Sequence, residues 1–409
     1  MTPAVFILGG YQTDFARKWS REGLGIADII TEAAQGALAD ADVTADQIEV
    51  GHVGNFIGEL LTGQGHLGGI LVEADKAFAG MPVARHEAAC ASGSMAIMAA
   101  MADIESGRYD VALVVGAEEM RSRSGFDVAQ MLGSAAWVPR ETAGVQFPWP
   151  QLFSELAQEY DARYGLDPAY LAALAESNFT NARSNAHAHA RDWEMPKNVF
   201  GRDDPGNPAV SGWIRKQDCS QVSDGGAAVV LASPAFTERW ATAHAKRLAD
   251  IPRITGWGHT SARMTLRDKL ADAKDKELVF PHVQQAMQQA LGRANSKDVF
   301  DLDLVELHDC FTSTHYMAID HLGITEPGQS YQAIEDGTVL AGGRLPLNPS
   351  GGLMGGGHPV GATGVRMLVD ASKQVSGQAG QTQVESARRA GTLNIGGSAT
   401  TVAAFVVEA

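Results

Sequence analysis

Cys90 has the surroundings of a catalytic nucleophile. It lies in HEAACASGS, residues 86–94, directly before a predicted helix at residues 95–105. Unpaired N–H groups and the helix dipole at a helix start favour a thiolate over a thiol. The small residues on both sides leave room for a substrate to reach the sulfur. The alternative is a buried cysteine that acts as a small apolar filler, and more distant segments must decide between the two.

A second segment places a histidine among glycines. Residues 348–364 read NPSGGLMGGGHPVGATG and contain His358. Glycines let the backbone approach a ligand closely, and a helix predicted from Gly364 adds spare N–H groups. A flexible linker with an incidental histidine is the alternative, but Pro359 and the helix that follows argue against it. We therefore expect His358 to lie over a bound ligand.

Two further segments carry polar groups at the ends of predicted strands. Residues 306–311, ELHDCF, end one strand, and strand ends are where α/β proteins build their sites. His308 can donate a hydrogen bond to a carbonyl oxygen, and Cys310 can move protons. The alternative is that His308 caps the next helix and Cys310 is buried beneath it. Residues 394–399, NIGGSA, are expected to form a turn that brings the N–H of Gly396 to a substrate oxygen.

These segments need a scaffold that brings them together. Strand-like and helix-like stretches alternate along the chain, which is typical of βαβ units around a buried parallel or mixed sheet. Strands are predicted at residues 5–8, 50–55, 111–115, 227–232, 254–257, 302–307 and 402–407. Helices are predicted at residues 26–40, 95–105, 151–164, 168–186, 276–290, 312–322 and 364–375.

The alternation is interrupted by a region rich in Trp, Pro, Arg and His, which indicates an insertion. The similar rhythm on both sides of it indicates two similar halves. The predicted organisation is an N-terminal half at 1–120 plus 218–250, an inserted loop domain at 121–217 and a C-terminal half at 251–409.

Composition narrows the class of protein. A chain of 409 residues with 45% hydrophobic and 20% charged residues is ordinary for a soluble enzyme. No apolar stretch reaches membrane-spanning length, and the first residues lack the basic region of a secretory signal. A net charge of −16 argues against nucleic acid as a partner. Three widely spaced cysteines form no disulfide framework. We expect a cytoplasmic protein without a membrane span.

The segments together resemble the thiolase superfamily over nearly the whole chain. Residues 86–94 are similar to the family's nucleophile loop. Residues 357–364, GHPVGATG, are similar to its highly specific Gly-His-Pro-x-Gly-x-(Ser/Thr)-Gly signature, and SDGGAA at 223–228 resembles the segment that closes the family's N-terminal half. The resemblance implies the α/β thiolase fold: two similar βαβαβαββ halves in a layered α-β-α-β-α sandwich, with an inserted loop domain.

Within the superfamily, HDCF at residues 308–311 resembles the sterol-carrier-protein-2 type. Ordinary thiolases carry Asn-Glu-Ala-(His/Phe) there, and their second cysteine lies in a Cys-x-Gly motif near the C-terminus. Here Asn394 occupies that cysteine position, while Gly396 is retained. The resemblance therefore assigns the second-cysteine role to Cys310 and leaves Asn394 a structural or water-positioning role.

The implied activity is that of an acyl-CoA C-acyltransferase, such as an acetyl-CoA acetyltransferase, which cleaves 3-ketoacyl-CoA or condenses two acyl-CoAs. Cys90 would be acylated with His358 as base, and Cys310 would move the proton of the carbon–carbon step. His308 would hold one substrate oxygen, and the N–H groups of Cys90 and Gly396 the other. Coenzyme A thioesters are substrates in this scheme, and neither a resident cofactor nor a metal is expected.

The resemblance also implies association and leaves alternatives open. A homodimer or homotetramer is expected. A β-ketoacyl synthase is disfavoured by the Gly-His-Pro signature and by Cys310. An aldolase or an acyltransferase with another acceptor, which in some relatives joins an OB-fold partner protein, is disfavoured because both cysteines are retained. A non-catalytic thiolase-like subunit is disfavoured by the intact reactive set.

Substrate contacts are predicted less specifically. The inserted region is expected to form much of an acyl tunnel, narrowed by four aromatic residues: Trp137, Phe147, Trp149 and Phe153. Plain core or subunit contact is the alternative for them. Three arginines are candidates for the phosphates of coenzyme A: Arg121, Arg123 and Arg191.

Overall fold

The computed structural model describes residues 4–196 and 198–409. The strands are β1 (Val5–Gln12), β2 (Val50–Gly54), β3 (Val83–His86), β4 (Val111–Glu118), β5 (Ala209–Ser211), β6 (Ile214–Arg215), β7 (Gly225–Ala232), β8 (Arg253–Ser261), β9 (Leu304–Leu307), β10 (Arg389–Gly396) and β11 (Thr401–Glu408). The α-helices are α1 (Ile26–Ala41), α2 (Gly58–Thr62), α3 (Leu67–Val72), α4 (Ser92–Glu105), α5 (Gly125–Leu132), α6 (Val138–Glu141), α7 (Pro148–Tyr164), α8 (Pro168–Ala182), α9 (Pro234–Ala243), α10 (Leu266–Asp272), α11 (Pro281–Arg293), α12 (Thr312–His321), α13 (Ser330–Glu335) and α14 (Thr363–Val375).

Nine strands form one mixed sheet in the order β3-β2-β4-β7-β1-β8-β11-β10-β9. In the N-terminal half, β2 runs parallel to β3 and β4, and β7 runs antiparallel to β4 and β1. In the C-terminal half, β10 runs parallel to β9, and β11 runs antiparallel to β10 and β8. A short antiparallel pairing joins the halves where Val5 and Phe6 of β1 meet β8.

Helix α14 lies in the middle of the molecule. It contacts β1, β4 and β7 of the N-terminal half, β9, β10 and β11 of the C-terminal half, and its neighbour α4. On the outer sides, α1 covers β1, β4 and β7, while α11 covers β8 and β11. Gly256 and Gly258 allow α11 to lie directly on β8, because a Cβ at either position would collide with a carbonyl of the helix. With α14 and α4 between the two halves of the sheet and α1 and α11 outside them, the layers follow the expected α-β-α-β-α order.

The insertion between β4 and β7 contains α5 to α8 and the small β5–β6 hairpin. Helix α7 begins three residues before the predicted start at 151, and α8 ends at Ala182 rather than 186. The proposed boundaries at 121 and 217 stay a prediction. Along the described residues, no helix combines the length and the apolar composition that crossing a bilayer requires.

Several element predictions are wrong in ways that concern the site. Helix α4 begins at Ser92 instead of residue 95. The predicted helix at 276–290 actually starts at Pro281 and ends at Arg293. The expected turn at residues 394–399 is in part the end of strand β10, which was not predicted. Because β10 is buried on both faces between β9 and β11, its sequence shows no alternation of polar and apolar residues.

Candidate active site

One cavity of about 170 Å³ brings the four predicted catalytic residues together. Cys90, His308, Cys310 and His358 all line it, although the chain separates them widely. The rest of the wall is mostly apolar and includes Phe56, Met120, Leu132, Trp149, Phe153, Phe311 and Val360. A small apolar cavity with a few convergent polar groups is the usual form of a substrate site.

The reactive atoms are close to one another. The Sγ of Cys90 and one ring nitrogen each of His308 and His358 all lie within 4.8 Å of one another. The two imidazole rings meet edge to face, with centroids 5.1 Å apart and planes at 84°. A single bound carbonyl group can therefore contact the thiol and both imidazoles.

A strained turn presents Cys90 to the cavity. Ala89, directly before it, has a φ of 52°, a left-handed conformation that costs about 1 kcal/mol or more for a residue with a Cβ. The Ser92 hydroxyl holds the turn, since it donates to the Ala89 carbonyl at 2.6 Å and accepts from the Ala88 N–H at 3.0 Å. The turn places Cys90 in the wall of the cavity.

Cys90 is a thiol at neutral pH, whereas its position directly before a helix predicts a thiolate. Burial, together with the Glu118 and Glu87 carboxylates, raises the pKa of Cys90 to about 12. The N–H of Gly397 lowers the pKa but does not offset the burial. Cys90 precedes Ala91, the N-cap of α4, so it lies outside the first turn, where the dipole acts most strongly. The thiol therefore needs a base.

The hydrogen bonds of His358 leave it able to act as a base. Its Nδ1 lies 2.7 Å from the Thr363 hydroxyl, and that hydroxyl donates its hydrogen to the Pro359 carbonyl at 3.0 Å. Nδ1 must therefore donate, which leaves a lone pair on Nε2. The Nε2 atom is buried and has no hydrogen-bond partner among the described residues.

Both imidazoles are uncharged at neutral pH. Burial lowers the pKa of His308 to about 3, with a contribution from the Arg366 guanidinium. Burial, His308 and Arg366 hold the pKa of His358 well below its usual range. Arg366 is itself buried and is bonded to Glu306 at 2.9 Å and to Asp370 at 2.8 Å. A neutral His358 is free to accept a proton from the Cys90 thiol.

Cys310 is a second protonated thiol on the cavity wall. Burial raises its pKa well above the usual range, and the neighbouring Cys90 raises it further. Its sulfur lies 3.8 Å from the Thr314 hydroxyl, which donates its own hydrogen to the Phe311 carbonyl at 2.6 Å. The Cys310 S–H is therefore the donor toward Thr314. A neutral thiol beside the nucleophile is suited to giving a proton to a nascent carbanion.

Asp309 fixes the segment that carries His308 and Cys310. Its buried carboxylate accepts hydrogen bonds from the Leu353 N–H at 2.7 Å and from the Asn178 amide at 2.9 Å. Leu353 belongs to the glycine-rich segment and Asn178 to α8 of the insertion. One carboxylate thus ties three regions of the chain together behind the cavity.

The glycine-rich segment lies against the start of α4. A Cβ on Gly93 or Gly116 would collide with the carbonyl oxygen of Gly361. These glycines allow the backbones of the two halves to touch, which places His358 opposite Cys90.

Asn394 and Gly396 stand behind the cavity rather than in its wall. Asn394 is buried on β10 and contacts His308 and Ser94. Gly396 lies against the Ala88 carbonyl, where a Cβ would collide, and its neighbour Gly397 is the one that lines the cavity. The oxyanion role of Gly396 stays a prediction.

Trp149 and Phe153 line the cavity, as predicted for the tunnel, but Trp137 and Phe147 do not. The side chain of Trp137 is 43% exposed, and Phe147 packs edge to face on Phe126. Trp149 and Phe153 lie one turn apart on α7, whereas Phe147 precedes α7 and Trp137 precedes α6, so the two pairs belong to different parts of the insertion.

The three arginine candidates are engaged elsewhere. Arg121 donates to the Ala16 and Arg17 carbonyls, Arg123 donates to the Leu61 carbonyl, and Arg191 pairs with Asp14 at 2.6 Å. None of the three lines the cavity.

The third cysteine, Cys219, also lines the cavity, although no pattern in its part of the sequence predicts this. Cys219 lines the wall beside Cys310, because its segment forms a β-bridge with Phe311. Its S–H donates to the Arg215 carbonyl at 3.3 Å.

Cys90, His308 and His358 are also residue types that bind zinc. Asn394 and Thr363 each occupy one ring nitrogen of these histidines, so each imidazole has only one nitrogen free to face the cavity. That the site works without a metal stays a prediction.

Known proteins resemble this chain along its whole length. Residues 5–211 match the family described as thiolase, N-terminal domain, and residues 265–409 match the family described as thiolase C-terminal domain-like. An acetyl-CoA acetyltransferase of Methanothermobacter thermautotrophicus is 33% identical over 405 residues, which cover 98% of each protein. Sterol carrier protein 2 of Gallus gallus is 28% identical, over 97% of this chain and 70% of that protein.

A solved structure described as an Ltp2-ChsH2(DUF35) aldolase superposes on the chain with a TM-score of 0.78. The alignment covers 100% of this chain and 99% of that one at 20% identity. A likeness at this identity concerns the fold alone.

The raised pKa of Cys90 predicts how alkylation depends on pH. The ionised fraction of a thiol rises tenfold per pH unit while the pH is below its pKa, so the rate of Cys90 alkylation by iodoacetamide should rise about tenfold per unit from pH 6 to 9. The measurement is peptide mapping over time in a variant with Cys219→Ser and Cys310→Ser, which leaves Cys90 as the one thiol. A rate that levels off below pH 8 would show a resting thiolate–imidazolium pair instead.

Proposed function

The chain belongs to the thiolase family and is an acyltransferase enzyme, and we propose that it moves acyl groups between coenzyme A thioesters through an acyl-Cys90 intermediate. The observation that carries the proposal is the convergence of Cys90, Cys310, His308 and His358 on one apolar cavity. The name of the Methanothermobacter relative supports acetyl-CoA as one acyl donor.

In the cleavage direction, a 3-ketoacyl-CoA enters with its keto carbon at Cys90. The Cys90 proton passes to Nε2 of His358, and the sulfur attacks the keto carbon. The carbon–carbon bond then breaks, which leaves an acyl group on Cys90 and an enolate of the departing acyl-CoA. His308 donates a hydrogen bond to the enolate oxygen, and Cys310 gives its proton to the enolate carbon. Backbone N–H groups beside Cys90 hold the other oxyanion.

The second half-reaction returns the enzyme to its starting state. The Cys310 thiolate takes the proton of an incoming coenzyme A thiol. The coenzyme A sulfur attacks the acyl-Cys90 carbonyl, and the carbon–sulfur bond to Cys90 breaks. Cys90 then regains its proton from His358. Condensation of two acyl-CoAs follows the same steps in reverse.

The alternative functions differ in whether they require the Cys90 and Cys310 thiols. An aldolase on the same fold has no need of an acyl-cysteine, and a non-catalytic subunit needs neither thiol. Here both thiols face one cavity, and each carries its proton (the pKa of both is raised). This pairing favours acyl transfer, with Cys90 as nucleophile and Cys310 as proton donor.

Variants of the two thiols and of His308 separate the steps. Cys90→Ala should abolish turnover of a 3-ketoacyl-CoA. Cys310→Ala should also block cleavage and condensation, yet acetyl-CoA should still acylate Cys90. His308→Ala should slow the carbon–carbon step roughly 100- to 1000-fold, as expected for one lost oxyanion donor, and slow acylation less.

The measurement is intact mass of the acyl-enzyme beside steady-state turnover, with Cys90→Ala as the control that cannot gain an acyl group. Circular dichroism verifies that each variant is folded. Normal turnover of Cys310→Ala would contradict the assignment of the proton-moving thiol, and an acyl adduct that persists in Cys90→Ala would contradict the nucleophile.

We infer from the cavity that the acyl group is short. A cavity of about 150 Å³ holds a benzene-sized group, so a cavity of about 170 Å³ fits an apolar chain of similar size. Phe153 stacks on Phe311 with ring centroids 4.6 Å apart and so limits the available space.

Phe153→Ala should therefore shift specificity toward longer acyl chains. The ratio of kcat/KM for an eight-carbon over a four-carbon 3-ketoacyl-CoA should rise by roughly tenfold or more, since each added methylene group is worth about a factor of ten in a fitted apolar pocket. Phe147→Ala is the matched control, because Phe147 packs on Phe126 outside the cavity. An unchanged ratio in Phe153→Ala, or an equal rise in the control, would contradict the assignment.

Association and location are proposals as well. We expect a homodimer or homotetramer in the cytosol, and sedimentation that shows only a 43.2 kDa species at micromolar concentration would contradict the oligomer. An OB-fold partner protein belongs to the aldolase alternative, which would be favoured if cleavage released an aldehyde or ketone with no acyl-enzyme.

A further inference from the structure

Asn394 connects three elements behind the cavity. It lies on β10 with 1% of its surface exposed. Its Oδ1 is 2.8 Å from the hydroxyl of Ser94 on α4. Its Nδ2 is 3.0 Å from the Nδ1 of His308, which follows β9. The side chain of Asn394 therefore fills the space between the start of α4 and the imidazole that faces the substrate.

The hydrogens of this group can be assigned by counting donors. The Ser94 hydroxyl has one hydrogen, and Asn394 Oδ1 is its one acceptor among the hydrogen bonds of residues 4–196 and 198–409. This contact orients the amide so that its NH2 group faces His308. The Nδ1 of His308 then accepts, so it carries no hydrogen, and a neutral ring must hold its hydrogen on Nε2.

The opposite orientation of the amide leaves a buried group without a partner. With the NH2 group turned to Ser94, the Ser94 oxygen would accept and its own hydrogen would have no acceptor. A buried unsatisfied donor of this kind costs about 1–3 kcal/mol. Ser94 is 1% exposed, so water cannot replace the missing acceptor.

We propose that Asn394, oriented by Ser94, is a positioning residue that fixes His308 in the Nε2–H tautomer and so makes it a hydrogen-bond donor toward the cavity. The inference rests on the proposed function for the identity of the oxygen that His308 holds. It is more specific than the structural or water-positioning role that the sequence indicates for Asn394.

The two imidazoles of the site are then opposite tautomers. Thr363 forces the hydrogen of His358 onto Nδ1 and leaves Nε2 to accept. Asn394 forces the hydrogen of His308 onto Nε2 and leaves Nδ1 to accept. The two rings, with centroids 5.1 Å apart, therefore have different roles. His358 takes the proton of Cys90, and His308 donates a hydrogen bond to a substrate oxygen.

An asparagine is specific for this purpose. An aspartate of the same shape has no N–H to offer, so its carboxylate would accept a hydrogen from Nδ1 of His308. The ring would then turn a lone pair toward the cavity, and a substrate oxygen would meet an acceptor instead of a donor. Asn394→Asp should therefore be more damaging than Asn394→Ala, which imposes neither tautomer.

The test measures the tautomer directly. The full-length protein is labelled with ¹⁵N-histidine, and its ring nitrogens are recorded by NMR at pH 8, with His308→Ala used to identify the His308 signals. In the unsubstituted protein, Nε2 should carry the hydrogen and Nδ1 should not. In Asn394→Asp the hydrogen should be found on Nδ1, and in Asn394→Ala both forms should be present.

Turnover gives the second measurement. Asn394→Asp should slow the carbon–carbon step roughly 100- to 1000-fold, as for a lost oxyanion donor, while acylation of Cys90 changes much less. Asn394→Ala should lose less than Asn394→Asp, and Ser94→Ala, which keeps the amide but frees its orientation, less again.

The proposal is overturned if the unsubstituted protein carries its His308 hydrogen on Nδ1, or if Asn394→Asp keeps the Nε2–H form. Should Asn394→Asp fail to fold, the spectra of the unsubstituted protein, Asn394→Ala and Ser94→Ala still decide the tautomer. Failure of the proposed function is distinguishable, because normal turnover of His308→Ala would refute the role of the donor whatever tautomer NMR reports.

Discussion

The geometry of the site depends on the buried carboxylate of Asp309. This residue lies between His308 and Cys310 in the chain, and it accepts hydrogen bonds from Leu353 of the glycine-rich segment and from Asn178 of the insertion. Burial raises its pKa to about 6, but the N–H donors around it favour the charged form. No apolar side chain could replace it, because the backbone N–H groups that it satisfies would then be buried without a partner. This contact ties the segment that carries His308 to the glycine-rich segment that carries His358.

Charge is kept out of the cavity until a substrate is present. Both thiols carry their protons, and both imidazoles are neutral, because burial acts on each of them in the direction of the uncharged form. The buried guanidinium of Arg366 acts on both imidazoles, and its charge is compensated by Glu306 and Asp370. Its field opposes protonation of the imidazoles and favours any negative charge that develops on substrate oxygens. The site thus favours a reaction in which negative charge develops on a substrate carbonyl oxygen. It does not contain an ionised nucleophile before the substrate binds.

Much of this arrangement can be predicted from the sequence, for identifiable reasons. Local patterns identify Cys90 and His358: small residues precede a helix at Cys90, and glycines surround His358. Both patterns occur where backbone segments pack closely together. The protonation of Cys90 could not be predicted, since it results from burial by parts of the chain that are distant in sequence. The sequence places Asn394 in a turn, because a strand buried on both faces shows no alternation, and the contact of Asn394 with His308 therefore cannot be predicted. The cavity position of Cys219 depends on a pairing with Phe311 that no local pattern records.

The two halves meet where β1 pairs with β8 and where α4 contacts α14, and each half supplies only part of the site. Cys90 comes from the N-terminal half, whereas His308, Cys310 and His358 all come from the C-terminal half. A single half, folded alone or paired with a copy of itself, would present either a nucleophile without its base or a base without its nucleophile. The chemistry proposed for this site therefore requires both halves, joined along the pairing of β1 with β8 and the contact of α4 with α14.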